Sequence, residues 1–189
     1  AVESGAELKG YSGFSDSTNS LTRAYDADLD FSTGPFSIMV WVKRNGGSGD
    51  QFIVRRDQNP VSGAYFHMNT QGTGFLNFQA NDGTDEINIS TSEDIDDNVW
   101  HFCVATYDGT ASNTGKLYLD GVLKASETDT NVGSLDNGSA ILSVGASTSG
   151  TGAADTTTLA LLRISATAPS ATQIHEMYEA EKGMFEANA

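Results

Sequence analysis

Apolar and polar residues alternate in short runs along most of the chain. The run Phe36-Ser37-Ile38-Met39-Val40-Trp41-Val42 sets Phe36, Ile38, Val40 and Val42 on one face, the period of two that a half-buried strand requires. Residues 51–56 read as a second strand. In a third, Ala64, Phe66 and Met68 point one way and Tyr65, His67 and Asn69 the other. Residues 75–80 and 86–90 are joined across Asn81-Asp82-Gly83, a hairpin signal. The longest strand spans 99–107, with Trp100, Phe102 and Val104 on one side. Asp120-Gly121 between two alternating runs is a strong hairpin turn. Residues 140–145, after Asn137-Gly138, and 158–164 close the series. About eleven strands spaced by turns indicate an all-β sandwich or barrel. One helix is predicted over 170–182: Ser170 with Gln173 forms a capping box, and Ile174, Met177 and Tyr178 make an i, i+3, i+4 stripe. Its expected role is to cover an edge or one end of the sandwich.

Nothing divides the 189 residues into two domains. Residues 45–50, 109–115 and 147–157 read as surface loops, and residues 1–19 as a linker or a lead-in strand. The first ten residues carry Glu3 and Glu7 and lack the apolar stretch of a secretory signal. The Glu186-Ala187-Asn188-Ala189 end reads as a cut.

Charge narrows the function. With 10 Lys and Arg against 25 Asp and Glu, the net charge is −15. Such a chain has no basic stripe to neutralise nucleic-acid phosphates, and an anionic membrane surface repels it. No apolar run approaches the ~20 residues that cross a bilayer. The hydrophobic share is 38 % and the charged share 19 %, a globular rather than a disordered composition. A single cysteine, Cys103, excludes an internal disulfide framework and a cysteine zinc site. It lies in an apolar strand and reads as a small buried hydrophobe.

Several of these runs resemble a known family. Phe36 to Lys43 is similar to the "FTISAWVK" strand of laminin-G-like, concanavalin A-like domains. Val99-Trp100-His101-Phe102-Cys103-Val104-Ala105-Thr106-Tyr107-Asp108-Gly109 resembles their "WHHVAVTYDG", and Lys116-Leu117-Tyr118-Leu119-Asp120-Gly121 their "LYVDG" hairpin. Ser143-Val144-Gly145-Ala146 matches "IGA", and Leu162-Arg163-Ile164 through Tyr178 resembles the closing "VRIYNRALSAAEIQALY". Five elements in order span about residues 20–180. The resemblance implies an all-β, concanavalin A-like jelly-roll sandwich of two antiparallel sheets with one C-terminal helix. Residues 159–182 also resemble the end of such domains in structural proteins of tailed bacteriophages. That implies a virion or extracellular setting, with glycan or other virion proteins as partners.

The resemblance also says which chemistry to seek. Laminarinase-like hydrolases of this fold use Glu-x-Asp-x-Glu, which sets paired carboxylates on one strand face. The nearest run, Glu93-Asp94-Ile95-Asp96-Asp97, lacks the central acid and reads as a solvated turn. No Gly-x-Ser-x-Gly elbow or phosphate-binding glycine loop is present. His101 reads as a partly buried structural histidine and His175 as an exposed helix residue. No enzyme is therefore expected. Calcium is the plausible metal, because oxygen ligands abound. Asp26 and Asp28, in Asp26-Ala27-Asp28-Leu29-Asp30, start like an EF-hand loop, but Phe31 and Ser37 replace its glycine and glutamate. The family's calcium acid in the final strand, from "IDEVRIY", aligns with Ala160 and the next with Leu161, a departure from the family's pattern. If Ala64, Phe66, Met68, Leu76, Phe78, Ile87 and Ile89 face the core, the opposite face presents Tyr65, His67, Asn69, Phe75, Asn77, Gln79 and Asn88, joined by Arg55. Aromatic rings for pyranose C–H groups and amides for hydroxyls suit a glycan. The ordinary alternative is the wet side of a sheet or a face covered by another subunit. A non-catalytic recognition module of a phage virion protein is the expected function. The alternatives are a glycoside hydrolase or a structural homo-oligomerising domain.

Overall fold

The computed structural model describes residues 9–15, 19–58, 63–72, 74–109, 113–129, 131–147, 149 and 151–186. Parts of two expected loops, 109–115 and 147–157, the residues before Lys9 and the chain end after Glu186 lie outside these. The strands are β1 (Leu21–Arg23), β2 (Phe36–Arg44), β3 (Gln51–Asp57), β4 (Tyr65–Gln71), β5 (Phe75–Asn81) and β6 (Glu86–Asp94), then β7 (Trp100–Tyr107), β8 (Thr114–Leu119), β9 (Val122–Thr128), β10 (Ile141–Val144) and β11 (Thr157–Ser165). The helix α1 is Ala171–Glu186. Two antiparallel sheets result, one ordered β1-β10-β3-β4-β5-β6 and the other β11-β2-β7-β8-β9. This is the sandwich that the alternation predicts.

The main core lies between the sheets. Phe36 stacks on Phe31 at 4.7 Å and meets Phe66 and Tyr107 at 4.9 and 5.8 Å. Ala64, Phe66, Met68, Leu76, Phe78, Ile87 and Ile89 are all buried, as their period requires. Cys103 is buried here too, and burial holds its thiol well above the usual range. Asp120 and Gly121 both adopt left-handed φ angles, 52° and 77°, as a two-residue hairpin between twisted strands demands.

The helix corrects an expectation. It lies on the outer face of the five-stranded sheet rather than over an edge or an end, and it runs to Glu186 rather than 182. Met39 and Trp41, on the second face of β2, join Phe102, Val104 and Tyr118 in a separate apolar cluster closed by Ile174 and Phe185. Each fully buried apolar side chain of this kind contributes about 1.5–3 kcal/mol. Trp41 stacks on Phe185 at 4.0 Å. The capping box forms as predicted: Gln173 N–H donates to Ser170 Oγ at 3.3 Å, and Ser170 N–H to Gln173 Oε1 at 2.9 Å.

Side chains close one open flank of the sandwich. The backbone N–H of Asn88 on edge strand β6 donates to Glu127 Oε2 of β9 at 2.8 Å, and Lys124 pairs with Glu93 at 2.9 Å. The first satisfies a backbone donor of an edge that would otherwise invite another strand, and the second ties the two sheets side chain to side chain. On the other flank Tyr11 exchanges both backbone bonds with Leu159, so a lead-in segment adds one bridge to β11.

Candidate functional site

The outer face of the six-stranded sheet carries the residues singled out for binding. Register fixes them in rows. Arg55, His67, Gln79 and Asn88 lie opposite one another across β3–β6, and Asn69, Asn77 and Ser90 form the next row. Tyr65 and Phe75 belong to the same face of β4 and β5.

The eight residues share a face but not a level. His67, Asn69 and Asn77 are 6 %, 2 % and 2 % exposed, so they form a floor rather than a contact surface. Asn77 Nδ2 donates to Asn88 Oδ1, Ile89 O and Ser90 Oγ at 2.9–3.0 Å. Above the floor the Arg55 guanidinium lies 4.7 Å from the Phe52 ring and 5.6 Å from Tyr65. Phe52 meets His67 edge-on at 5.3 Å, and Tyr65 lies parallel to it at 6.0 Å. Burial, reinforced by the Arg55 charge, pushes the His67 pKa down to about 3, against a hydrogen bond that the imidazole donates to Asn77. The ring is therefore neutral near pH 7. His67 Nδ1 and Asn69 Oδ1 are buried without a partner among the described residues. Phe75 is 36 % exposed, and Gln79, Asn88 and Tyr65 also reach solvent.

Charges on this face are hydrogen-bonded, one of them in an ion pair. Arg55 Nε bonds Asp57 at 2.5 Å, and Glu86 accepts from Gln79 and Asn81. Phe52 escaped the sequence reading for a definite reason. Strict alternation would place it with Val54 and Arg56, but the register shifts between Phe52 and Val54. A bulge moves a side chain to the other face. The adjacent buried pair Ile53-Val54 is its signal in the sequence.

The acids elsewhere are engaged in other ways. Asp26 caps a 3-10 turn, accepting from Asp28 N–H at 2.9 Å, and it pairs with Arg23. Asp30 binds the buried Arg56 and accepts from Tyr25 and Asn137. No three acids, histidines or cysteines among the described residues converge to hold a metal. Ala160, at the family's calcium position, is buried in the cluster under the helix, and Leu161 is an exposed bulge residue with φ 50°. Neither side chain has an oxygen, so these residues do not fit calcium there. In the run 93–97, Glu93 pairs with Lys124, Ile95 is buried, Asp96 accepts from Gly46, and Asp97 caps Val99 and faces His101. His101 bonds Asp120 through Nδ1 at 2.8 Å, a structural role. His175 is exposed.

A model of the concanavalin A-like lectin/glucanases superfamily matches residues 16–175. No curated protein matches the chain in sequence. Among solved structures, the binding domain of Paraclostridial Mosquitocidal Protein 1 is similar, with a TM-score of 0.71 and 17 % identity over 92 % of this chain and 45 % of that one. The botulinum neurotoxin serotype G binding domain has a TM-score of 0.66 and 18 % identity over 95 % of this chain and 48 % of that one. The heptameric SAP-like pentraxin from Limulus polyphemus has a TM-score of 0.61 and 12 % identity, over 88 % and 80 %. The chain thus spans less than half of the two toxin domains. At these identities the likeness is one of fold.

Proposed function

The chain belongs to the concanavalin A-like lectin/glucanases superfamily, and from that premise we propose that it is a non-catalytic module that binds glycan on the outer face of its six-stranded sheet. The observation that carries this reading is the Phe52–Arg55–Tyr65–His67 stack set beside the amides of Gln79 and Asn88. Aromatic faces take the C–H side of a pyranose, and amides donate to and accept from its hydroxyls. The Arg55–Asp57 pair, a Glu86 carboxylate held by two amides and a neutral His67 make the face suited to an uncharged, hydroxyl-rich ligand. The engagement of the acids at 93–97 in turns and ion pairs supports binding without hydrolysis. The resemblance of residues 159–182 to phage structural proteins supports a virion or extracellular setting, with host-surface glycan or neighbouring virion proteins as partners. Asp26 and Asp28, the calcium ligands expected from the sequence, are not put forward as a site, because Asp26 pairs with Arg23 and accepts from Asp28 N–H, and no three acids among the described residues converge there.

A second reading, assembly through this same face, is favoured by the exposed ring of Phe75. An array of bacterial polysaccharides separates the two. Binding should fall at least tenfold in Tyr65→Ala, Gln79→Ala and Asn88→Ala, with melting within a few degrees of wild type. A silent array with a trimer in solution scattering would replace glycan binding by assembly. Release of reducing ends would make the protein a hydrolase.

A further inference from the structure

On the other side of the sandwich, α1 does not cover the five-stranded sheet completely. A hollow of about 160 Å³ opens where the start of β7 and the β8–β9 turn meet the end of the helix. Its inner wall is aromatic. Trp41 and Phe185 are buried and stacked, and Trp100 meets Phe185 at 5.1 Å. Trp41 donates its indole N–H to Glu181. Trp100 differs: it is half-buried, and its indole N–H has no hydrogen-bond partner among the described residues.

The rim is polar, with His101 and Asp120 on one side and Lys182 on the other. Asp120 takes one bond on each oxygen, from Phe102 N–H at 2.9 Å and His101 Nδ1 at 2.8 Å. Each carboxylate oxygen has two lone pairs, so Asp120 keeps acceptor capacity. Its left-handed turn conformation, φ 52°, fixes where the carboxylate points.

Three ligand classes conflict with this wall. An organic cation would find the Tyr178 ring already taken by the Lys182 ammonium, 5.5 Å from its centre and paired with Glu179. An anion would meet Asp120 on a chain of net charge −15. An extended apolar molecule would not fit, since pockets for drug-sized ligands run to ~300–1,000 Å³. An uncharged ring bearing hydroxyls meets none of these conflicts. Its C–H face can lie on Trp100, and its hydroxyls can donate to Asp120 and accept from the free indole N–H.

We propose that this hollow is a second saccharide site, taking one uncharged sugar ring at the end or branch of a chain. It shares no residue with the sheet face. The test is saturation-transfer NMR on the full chain with the methyl glycosides of glucose, galactose, mannose and rhamnose, and with choline as the cationic control. At least one glycoside should bind with a Kd in the mM range. Trp100→Phe, which keeps a ring against Phe185, and Lys182→Ala should each weaken that binding about fivefold or more without changing the melting temperature. Tyr65→Ala should leave it unchanged. The proposal is overturned if no glycoside shows transfer at about 20 mM, if choline binds in their place, or if Trp100→Phe and Lys182→Ala bind as wild type. Loss of glycoside binding in Tyr65→Ala alone would uphold the sheet face and remove this site.

Discussion

Glu181→Ala tests what holds α1 to the sheet. Glu181 Oε2 accepts the Trp41 indole N–H at 2.7 Å, and Arg163 binds both carboxylate oxygens at 2.5 and 3.0 Å. Trp41 is 1 % exposed, so the substitution strands a buried donor, at a cost of about 1–3 kcal/mol. The ion pair is partly solvated, with side chains 36 % and 16 % exposed, and adds only ~0–1 kcal/mol. The expected loss is therefore about 1–4 kcal/mol, or roughly 3–12 °C in Tm for a chain of this size. Glu181→Gln keeps an acceptor for Trp41 and should lose about 1 kcal/mol or less. Both tryptophans lie in the cluster under the helix, so their emission during urea denaturation reports helix docking directly. Glu181→Ala within about 0.5 kcal/mol of wild type, or Glu181→Gln as damaging as alanine, would refute the argument.

Four further outcomes are expected. Phe102→Ala should cost about 3–5 kcal/mol, and Trp100→Ala clearly less, because only Phe102 is fully buried; equal urea midpoints would contradict this. Burial opposes charge on His101, but the hydrogen bonds and charges of Asp120 and Asp97 outweigh it and raise its pKa. That contribution is complete below the unfolded value of about 6.5 and is lost as pH rises through the folded one, so His101→Gln should flatten the decline in stability that begins near pH 6.5. His67 works in the opposite window: from about pH 6.5 down to about 3 the unfolded chain takes a proton that the buried ring refuses. Stability should fall on acidification, and His67→Gln should remove that part of the slope; unchanged slopes in both variants would show that neither histidine is linked to folding. Gly109→Ala should destabilise more than Gly46→Ala, since both have φ near +77° but only Gly109 would drive a Cβ to 2.5 Å from Thr33 O; equal losses in thermal melting would discount the clash.

Much of the fold was legible because a strand's period is two. Phe66 and Met68 against Tyr65 and His67 named the faces of β4 correctly, and Asp120-Gly121 and Ser170–Gln173 marked a turn and a cap through bonds within a few residues. The second layer was legible in part. Met39 and Trp41 opposite Phe36, Ile38 and Val40 make β2 apolar on both faces, the pattern of a strand covered twice, yet alternation does not say what covers it. Of the candidate site, the face was readable and the depth was not. His67, Asn69 and Asn77 alternate like surface residues but are buried: the rings of Phe52 and Tyr65 stand against His67, Asn77 is bonded into β6, and Phe52 arrives only through a bulge.

What the sequence determined by itself is local: which side chains share a strand face, where the chain turns, where the helix begins, and a charge that repels polyanions. The tertiary structure alone decided that α1 lies across the five-stranded sheet, that Glu127 and Lys124 bridge the flank at β6, and that His67, Asn69 and Asn77 are buried on the outer face of the six-stranded sheet. Those outcomes depend on residues dozens of positions apart meeting in space. Burial, and with it the protonation of His67, is set by such neighbours and not by the periodicity of any one segment.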